Sequence, residues 1–364
     1  MKLKFFTLVS LLFSGAFLSA QMSGMMTMQQ NSNSRGTVLG ANTTTGAAGI
    51  ALGNRAVMRG YVDFKFDYLD IEDDDQTESF STKADVDFLF DFSPVTGEVH
   101  LEASDEIDLE QAFGRYAFNR DFNISFGRQL TVLGYETDEA TGLHSVSHSY
   151  LIDKIFDSLI DGRGSNVPAS FKDTKFRRNY VDGVRANFNN GRFGFSIGLH
   201  DSYWANDDFN GDNIAIDLAA SLMIMPGLEA RLGYAHQEID KDSSSLLTRD
   251  EEISQFNAWI AYNPGDLTLA FEYDNFDIST ADYWDILLLA NYQFNEMFGA
   301  TFKYSHENFE EGSFDSDADR LTFALLFTIT QNLMFNVEYS HTSVDTSGND
   351  FDVDEFYLQG LLTF

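Results

Sequence analysis

Charged side chains recur at every second position through much of this 364-residue chain, and the residues between them are aromatic or aliphatic. From Val62 to Tyr68, and again from Ala84 to Phe92, Asp and Lys alternate with Phe, Val and Tyr. Extended strands place alternate residues on opposite faces. A face of acids and bases lining an aqueous cavity would select ions by charge and orient dipolar solutes without a covalent step. We therefore predict no catalytic residue.

The charged face carries residues of both signs. Its predicted basic wall consists of Arg115, Arg185, Arg231, Lys303 and Arg320, with Arg177 and Arg178 at the end of a long loop. Its predicted acidic residues include Asp63, Asp67, Asp85, Asp87, Glu272 and Asp285. Arg128 has the parity of the apolar face and would need a β-bulge to point inward. The surplus of acids predicts a preference for cations. Alternatively, these charges only solvate the cavity and pair with one another.

The longest connection, 130–179, contains a segment with helical spacing. In SYLIDKIFDSLID the apolar residues recur as in an amphipathic helix, with Ser149 as N-cap and Gly162 as the C-terminal stop. We predict that this helix folds into the cavity and narrows it. Its polar side would then present three carboxylates to the constriction: Asp153, Asp157 and Asp161. The alternative places the helix over the mouth of the cavity or against a partner subunit.

Three other kinds of chemistry are poorly supported. His144 and His148 stand four residues apart among serines, but HSVSH lacks the Glu of a metalloprotease helix and the chain has no G-x-S-x-G. NDDFNGDN at 206–213 resembles the start of a calcium loop, but position twelve, counted from Asp208, is Ala219. We predict no metal site and no cofactor, apart from weak binding of divalent cations by acidic loops.

The elements that must position these side chains are strands. Alternation with a period of two predicts sixteen of them. The first two lie around 62–68 and 83–92. The others lie near 98–104, 109–118, 122–129, 180–189, 192–201, 213–224, 228–238, 253–263, 267–276, 283–294, 298–307, 319–329, 333–342 and 354–364.

Connections between the predicted strands alternate in length and composition. Odd-numbered strands lead into long, acidic loops such as FEEGSFDSDAD, and even-numbered strands lead into short turns such as NPGD. Transmembrane β-barrels have this asymmetry between their two rims. The chain ends on Phe364, a terminal aromatic that is typical of outer-membrane barrels. The predicted fold is an all-β, antiparallel, up-and-down transmembrane barrel of 14 to 18 strands, and a soluble β-sandwich is the alternative.

The N-terminal residues precede this pattern. Residues 1–20 have the two lysines, apolar stretch and Ser-Ala end of a cleaved signal peptide, which predicts export. Residues 21–55 are polar and aperiodic, which predicts a flexible periplasmic leader. The barrel domain would then comprise residues 56–364, including the long loop.

Composition narrows the range of partners. A formal net charge of −34 argues against nucleic acid, and the lack of cysteine excludes disulfides and thiolate metal sites. A bacterial outer-membrane barrel would contact lipid, lipopolysaccharide, the barrel assembly machinery and small hydrophilic solutes. The sequence is compatible with a monomer and with a homotrimer.

Two motifs resemble a known family. FGRQLTVLGYET at 126–137, followed by SHSYL at 147–151, is similar to the signature region of OmpL-like porins. The resemblance would span residues 56–364, and it implies a passive outer-membrane pore. The alternatives from the residues alone are a non-conducting barrel acting as an anchor or adhesin, and an outer-membrane lipid hydrolase.

Overall fold

The computed structural model describes residues 49–72, 76–104, 106–136, 138–150, 180–204, 215–239, 251–278, 281–348 and 350–364. The predicted signal peptide, most of the leader, and residues 151–179 with the predicted helix lie outside these ranges. Within them, no helix has the length and apolar character needed to cross a membrane.

Strands make up nearly all of the described chain. A two-residue strand, β1 (Ile50–Ala51), precedes sixteen longer ones. These are β2 (Ala56–Ile71), β3 (Thr77–Phe92), β4 (Val95–Ala103), β5 (Ile107–Ala117), β6 (Phe122–Leu130), β7 (Tyr180–Asn189), β8 (Phe193–His200), β9 (Ala215–Met225), β10 (Leu228–Ile239), β11 (Glu251–Tyr262), β12 (Leu267–Ile278), β13 (Ala281–Asn295), β14 (Phe298–Glu311), β15 (Phe314–Thr330), β16 (Leu333–Thr346) and β17 (Asp350–Thr363). A short 3-10 helix, Ala140–Gly142, lies in the long connection.

The sixteen long strands form a closed barrel, as predicted. Each strand pairs antiparallel with the next in the chain, and β17 pairs with β2 to complete the ring. At this seam Leu358 lies opposite Phe66. The main chains of Phe364 and Gly60 exchange two hydrogen bonds of 3.0 and 2.9 Å. A Cβ on Gly60 would overlap the main-chain oxygen of Asp85 and lie 2.8 Å from the Phe364 ring, so this position requires glycine.

The two faces of the barrel wall differ as the alternation predicted. Outward residues are apolar and exposed; Phe64, Phe126 and Phe323 are about half exposed, at 50%, 53% and 50%. Inward residues on the same strands are polar and buried, as with Asp63 and Ser125. Outward apolar residues span about eight positions on β15, from Leu321 to Ile329. At roughly 3.4 Å per residue and a tilt near 40°, this gives a band roughly 20 Å tall, suited to the core of a membrane.

Loop lengths differ from the prediction. We expected long acidic loops after each odd-numbered predicted strand, but β14 ends at Glu311 and β15 begins at Phe314. Similarly, β16 ends at Thr346 and β17 begins at Asp350. Many of the acidic residues therefore lie on strands that extend past the apolar band, because cross-strand pairing satisfies the backbone there. The long connections are 131–179, 201–214 and 240–250, and we call their side of the barrel the long-loop rim.

A short strand lies at the end of the range predicted as the leader. Ile50 lies opposite Met58 and Ala51 opposite Val57 in a short antiparallel pairing. The last residues of the predicted flexible leader therefore form the edge of a hairpin with β2.

Candidate pore interior

The inward face of the barrel carries the charged residues that the sequence singled out. Arg185, Arg231, Lys303 and Arg320 are all buried, and Arg115 is half-buried. They belong to different strands spread around the ring. Their predicted role as a basic wall of the pore stays a prediction. Arg177 and Arg178 lie outside the described residues.

Each of these cations has an acidic or aromatic neighbour. Arg185 donates to Asp217 at 2.8 Å, and Arg115 contacts Glu98 at 3.5 Å. Arg320 is paired with Glu355. The Arg231 guanidinium lies 5.7 Å from the centre of the Trp259 ring. The described residues therefore place each of these four cations beside a group that can offset its charge.

The predicted acidic residues also lie on the inward face. Gln359 donates to Asp63 at 3.0 Å, and Ser79 donates to Asp67 at 2.7 Å. Asp85, Asp87, Glu272 and Asp285 are fully buried. Asp87 lies 2.7 Å from Nδ1 of His100 and 3.3 Å from Nε of Arg59.

Arg128 stays on the outward face. It lies in regular register opposite Asp182, so no bulge turns it inward. Its guanidinium donates to Asp182 at 3.3 Å and to the carbonyl oxygen of Leu109 at 3.0 Å.

Residues 131–150 run inside the barrel; we call them the inner segment. They leave β6 at Leu130 and reach β11 and β12, on the other side of the ring. There the main-chain N–H of Gly134 donates to Asn257 at 3.2 Å, and that of Tyr135 donates to Glu272 at 2.6 Å. The described half of the long connection therefore crosses the cavity. Asp153, Asp157 and Asp161 lie outside the described residues, so their predicted place at a constriction stays a prediction.

A group of polar contacts on β14, β15 and β16 holds the inner segment; we call it the Lys303 anchor. The Lys303 ammonium donates to Glu136 at 3.0 Å, to the Ser145 hydroxyl at 2.7 Å and to the Ser147 carbonyl at 2.7 Å. Burial opposes ionisation of Glu136, but Lys303, His148 and the N–H of Ser149 hold its pKa at about 2. Glu136 is therefore a carboxylate at neutral pH, paired with a buried cation.

Glu338 of β16 completes that anchor. Its carboxylate accepts the main-chain N–H of Val146 at 2.5 Å, the N–H of Ser147 at 3.2 Å and the Ser147 hydroxyl. Arg320 also donates to the Ser147 hydroxyl, at 3.0 Å. A carboxylate that accepts several N–H and O–H groups fixes a loop backbone more firmly than a single hydrogen bond does.

The second anchor, the Glu139 anchor, lies on β2, β3 and β5. The Tyr61 hydroxyl donates to Glu139 at 2.6 Å. Asp85, Glu110 and Glu139 are all buried, and one oxygen from each lies within 4.8 Å of the others. Burial, with Glu110 and Asp87 nearby, raises the pKa of Glu139 to about 8. At neutral pH Glu139 is therefore mostly protonated, which lowers the repulsion within this group. Three carboxyl groups of this kind could hold a hard cation through oxygen.

Apolar packing adds to both anchors. Val132 and Leu133 of the inner segment pack with Tyr203 and Trp204, which follow β8 and also point into the barrel. A Cβ on Gly233 of β10 would lie 2.8 Å from Cγ of Leu133, so only glycine leaves room for the Leu133 side chain at this position. The main-chain N–H groups of Tyr203 and Trp204 donate to Gln237 at 2.9 and 2.8 Å.

Several of these residues could not be singled out from the sequence. No specific role was predicted for Glu136, Glu139, Glu338, Asn257 or Trp204. One signal was available: Ile253, Phe276 and Tyr283 are apolar residues at inward positions, and all three pack in the cluster around Leu133. Apolar residues that break a polar inward face mark the place where a loop packs. His144 is half-buried, and desolvation lowers its pKa to about 4, so it is neutral and carries no charge into the cavity.

Comparisons with known proteins identify the fold. No protein-family model matches the chain, and no curated sequence is detectably similar. Among solved structures, OmpT of Vibrio cholerae superposes with a TM-score of 0.58 at 14% identity, over 86% of this chain and 100% of that one. OmpF of Salmonella typhi gives 0.59 at 13%, over 86% and 98%.

The anion-selective porin from Comamonas acidovorans gives a TM-score of 0.59 at 12% identity, over 85% of this chain and 99% of that one. At such identities the likeness concerns the fold, and the OmpL-like resemblance gains no support from a family match. The chain therefore shares its closed sixteen-stranded barrel with outer-membrane porins.

Proposed function

We propose that this protein is a bacterial outer-membrane porin of OmpL-like type, which lets small hydrophilic solutes and ions diffuse passively through a water-filled channel. One observation supports this most directly: a sixteen-stranded barrel turns ionisable residues inward all around its ring. Barrels of 16 to 18 strands are wide enough for an aqueous channel. Residues 1–20 would be the signal peptide that directs export. No catalysis is part of this proposal.

The inner segment would set the width of the channel. It crosses the interior and is held on two sides, so it reduces the open cross-section without needing a separate plug domain. The chain continues from Tyr150 to the three aspartates that we predict at the constriction: Asp153, Asp157 and Asp161.

The channel would prefer cations. Among the buried charged residues of the described chain, fourteen are Asp or Glu and four are Arg or Lys. Each of the four basic residues has a close acidic or aromatic neighbour, so the surplus negative charge sets the potential that a permeating ion meets. Protonated Glu139 reduces this surplus without reversing it.

The proposed surroundings follow from the same function. The outward apolar band would contact lipid and lipopolysaccharide, and the barrel assembly machinery would insert the chain. One of the similar structures, OmpT of Vibrio cholerae, is described as a trimer, and we propose a homotrimer here too. Acidic residues beyond the apolar band would bind divalent cations weakly, and no resident cofactor is required.

The test is single-channel recording from the refolded mature chain in a planar bilayer, with the reversal potential measured in a salt gradient. Stable open channels with a cation-selective reversal potential are expected. Insertion without conductance would contradict the proposal and favour a barrel that serves as an anchor or adhesin. A barrel that does not conduct but hydrolyses lipid would favour the hydrolase instead.

A further inference from the structure

The outward surface of the barrel has two unlike sectors. On β10–β17 and β2, the apolar band ends toward the long-loop rim in large interfacial side chains, which we call the girdle. Its members are Tyr68, Tyr234, Tyr273, Trp284, Tyr304 and Tyr339. Amphipathic rings of this kind stabilise a barrel where hydrocarbon meets lipid headgroups.

Polar partners lie directly beyond the girdle. Tyr304 and His306 both contact Asp319 of the next strand, at 2.6 and 3.0 Å. The pattern repeats one hairpin later, where Tyr339 contacts Asp354 at 2.6 Å and His341 contacts it at 2.9 Å. The boundary between apolar and polar surface is therefore sharp in this sector, as expected for a wall that faces lipid.

The sector formed by β4–β9 lacks this boundary in its described residues. Toward the long-loop rim its outward face carries aliphatic residues such as Leu109 and Leu199, exposed at 46% and 56%. Tyr180 begins β7, but its hydroxyl donates to Asp138 of the inner segment at 2.6 Å and so does not serve as a girdle residue. These six strands have 8 to 11 residues, against 14 to 17 for β13–β17.

Part of this sector carries small outward side chains. Gly97 and Gly114 lie opposite each other on the outward face, with Val99 and Ala112 as the next outward pair. A Cβ on Gly114 would lie 2.8 Å from the Phe126 ring, so that ring lies against the strand. Small residues let another backbone approach closely within a membrane.

One charged pair lies on this otherwise apolar face. Arg128 and Asp182 are 3.3 Å apart, with side chains 35% and 59% exposed. Because the pair has one charge of each sign, Arg128 of one copy could pair with Asp182 of the next copy around a three-fold axis. A second protein surface can offer hydrogen-bond partners to Arg128 and Asp182, and lipid hydrocarbon cannot.

We propose that the outward face of β4–β9 is the surface through which copies of this chain contact one another. Six strands about 4.8 Å apart, tilted near 40°, and a band roughly 20 Å tall give a face of roughly 750 Å². A standard protein interface takes about 800 Å² from each partner. The inference builds on the proposed membrane location and specifies the face used by the proposed homotrimer; it does not depend on conduction.

The first test measures mass in mild detergent by light scattering, for the native mature chain and two variants. Ala186→Trp places a large side chain on the β4–β9 face, and Ala300→Trp places the same side chain on the outward face of β14. We expect an oligomer for the native chain and for Ala300→Trp, and a monomer for Ala186→Trp. A monomeric native chain would overturn the proposal, as would an oligomer lost only with Ala300→Trp.

A second test holds even if the tryptophan variants fold poorly. The chain has no cysteine, so single cysteines can be cross-linked without background. In native-like membranes, Val184→Cys should give a covalent dimer with a short bis-maleimide, and Leu321→Cys, similarly exposed but in the girdle sector, should not. Cross-linking at Leu321→Cys alone would contradict the assignment. Because neither test measures current, a non-conducting barrel could still confirm the interface, and a conducting monomer would refute it.

Discussion

Glu136 and Glu139 are three residues apart in the inner segment, and both are buried, yet their protonation differs. Lys303 holds the first as a carboxylate, with a pKa at about 2, while burial and neighbouring acids raise the pKa of the second to about 8. The nearest charges therefore decide which glutamate keeps its proton. The inner segment is thus held at one anchor by the ion pair of Glu136 and Lys303, and at the other by the protonated carboxyl group of Glu139.

The largest effect on conductance is expected when most of the inner segment is removed together with the predicted helix. Deletion of residues 140–170 removes the Ser145 and Ser147 contacts along with the predicted helix. Single-channel conductance should rise more than in any variant below, and ion preference should shift. Unchanged conductance would mean that this connection does not limit the channel.

Breaking the Lys303 anchor alone should have the next largest effect. Lys303→Met leaves Glu136 as a buried, unpaired carboxylate, which costs about 3–5 kcal/mol when a buried pair is broken. We expect release of the inner segment, seen as faster proteolysis near residue 140 and as noisy, larger conductance. Arg120→Met is the control, because its pair with Asp121 lies in a turn with the Arg120 side chain 84% exposed, and such a pair contributes little to stability. Equal effects of the two substitutions would contradict the importance of this anchor.

The Glu139 anchor should weaken as pH rises. The docked segment holds a proton on Glu139 that a released segment, with an ordinary pKa of about 4.3, gives up. Docking is therefore most favourable below about pH 4, loses about 1.4 kcal/mol per pH unit as pH rises toward 8, and then levels off. The protection of the amides of residues 138–142, which is the intrinsic exchange rate divided by the observed rate at the same pH, should fall between pH 5 and 8.

The matched variant for that experiment is Glu139→Gln, which resembles the protonated side chain. It should keep its contact with Tyr61 and remove the pH dependence, while the Lys303 anchor, with Glu136 ionised throughout this range, stays unchanged. The same pH dependence in both proteins would assign the titration to another group.

The smallest effect is expected from charge alone. Replacing Asp153, Asp157 and Asp161 with Asn keeps side-chain size and removes three negative charges. The reversal potential should move toward zero with little change in conductance. No movement would place these residues away from the ion path.

The barrel could be predicted from the sequence because the alternation of apolar and polar residues is local. Within each strand it shows which residues face lipid. It correctly turned Arg185 and Glu272 inward for that reason. It could not distinguish Glu136 from Glu139, because their difference comes from Lys303 and Glu110 on distant strands. Nor could it show that acids near Phe314 extend a strand, since turn residues and strand ends have similar composition.

Phe364 has a consequence for the order of assembly. Its main chain pairs with Gly60, and the strand before it pairs with β2, so the contact that closes the ring joins opposite ends of the chain. Contacts between residues far apart in sequence form slowly. Until β17 has joined the sheet, β2 and β16 would both be open sheet edges, which are prone to unwanted pairing. A chain that lacked its final strand would therefore be expected to misfold through these open edges, and would not simply form a channel with altered conductance.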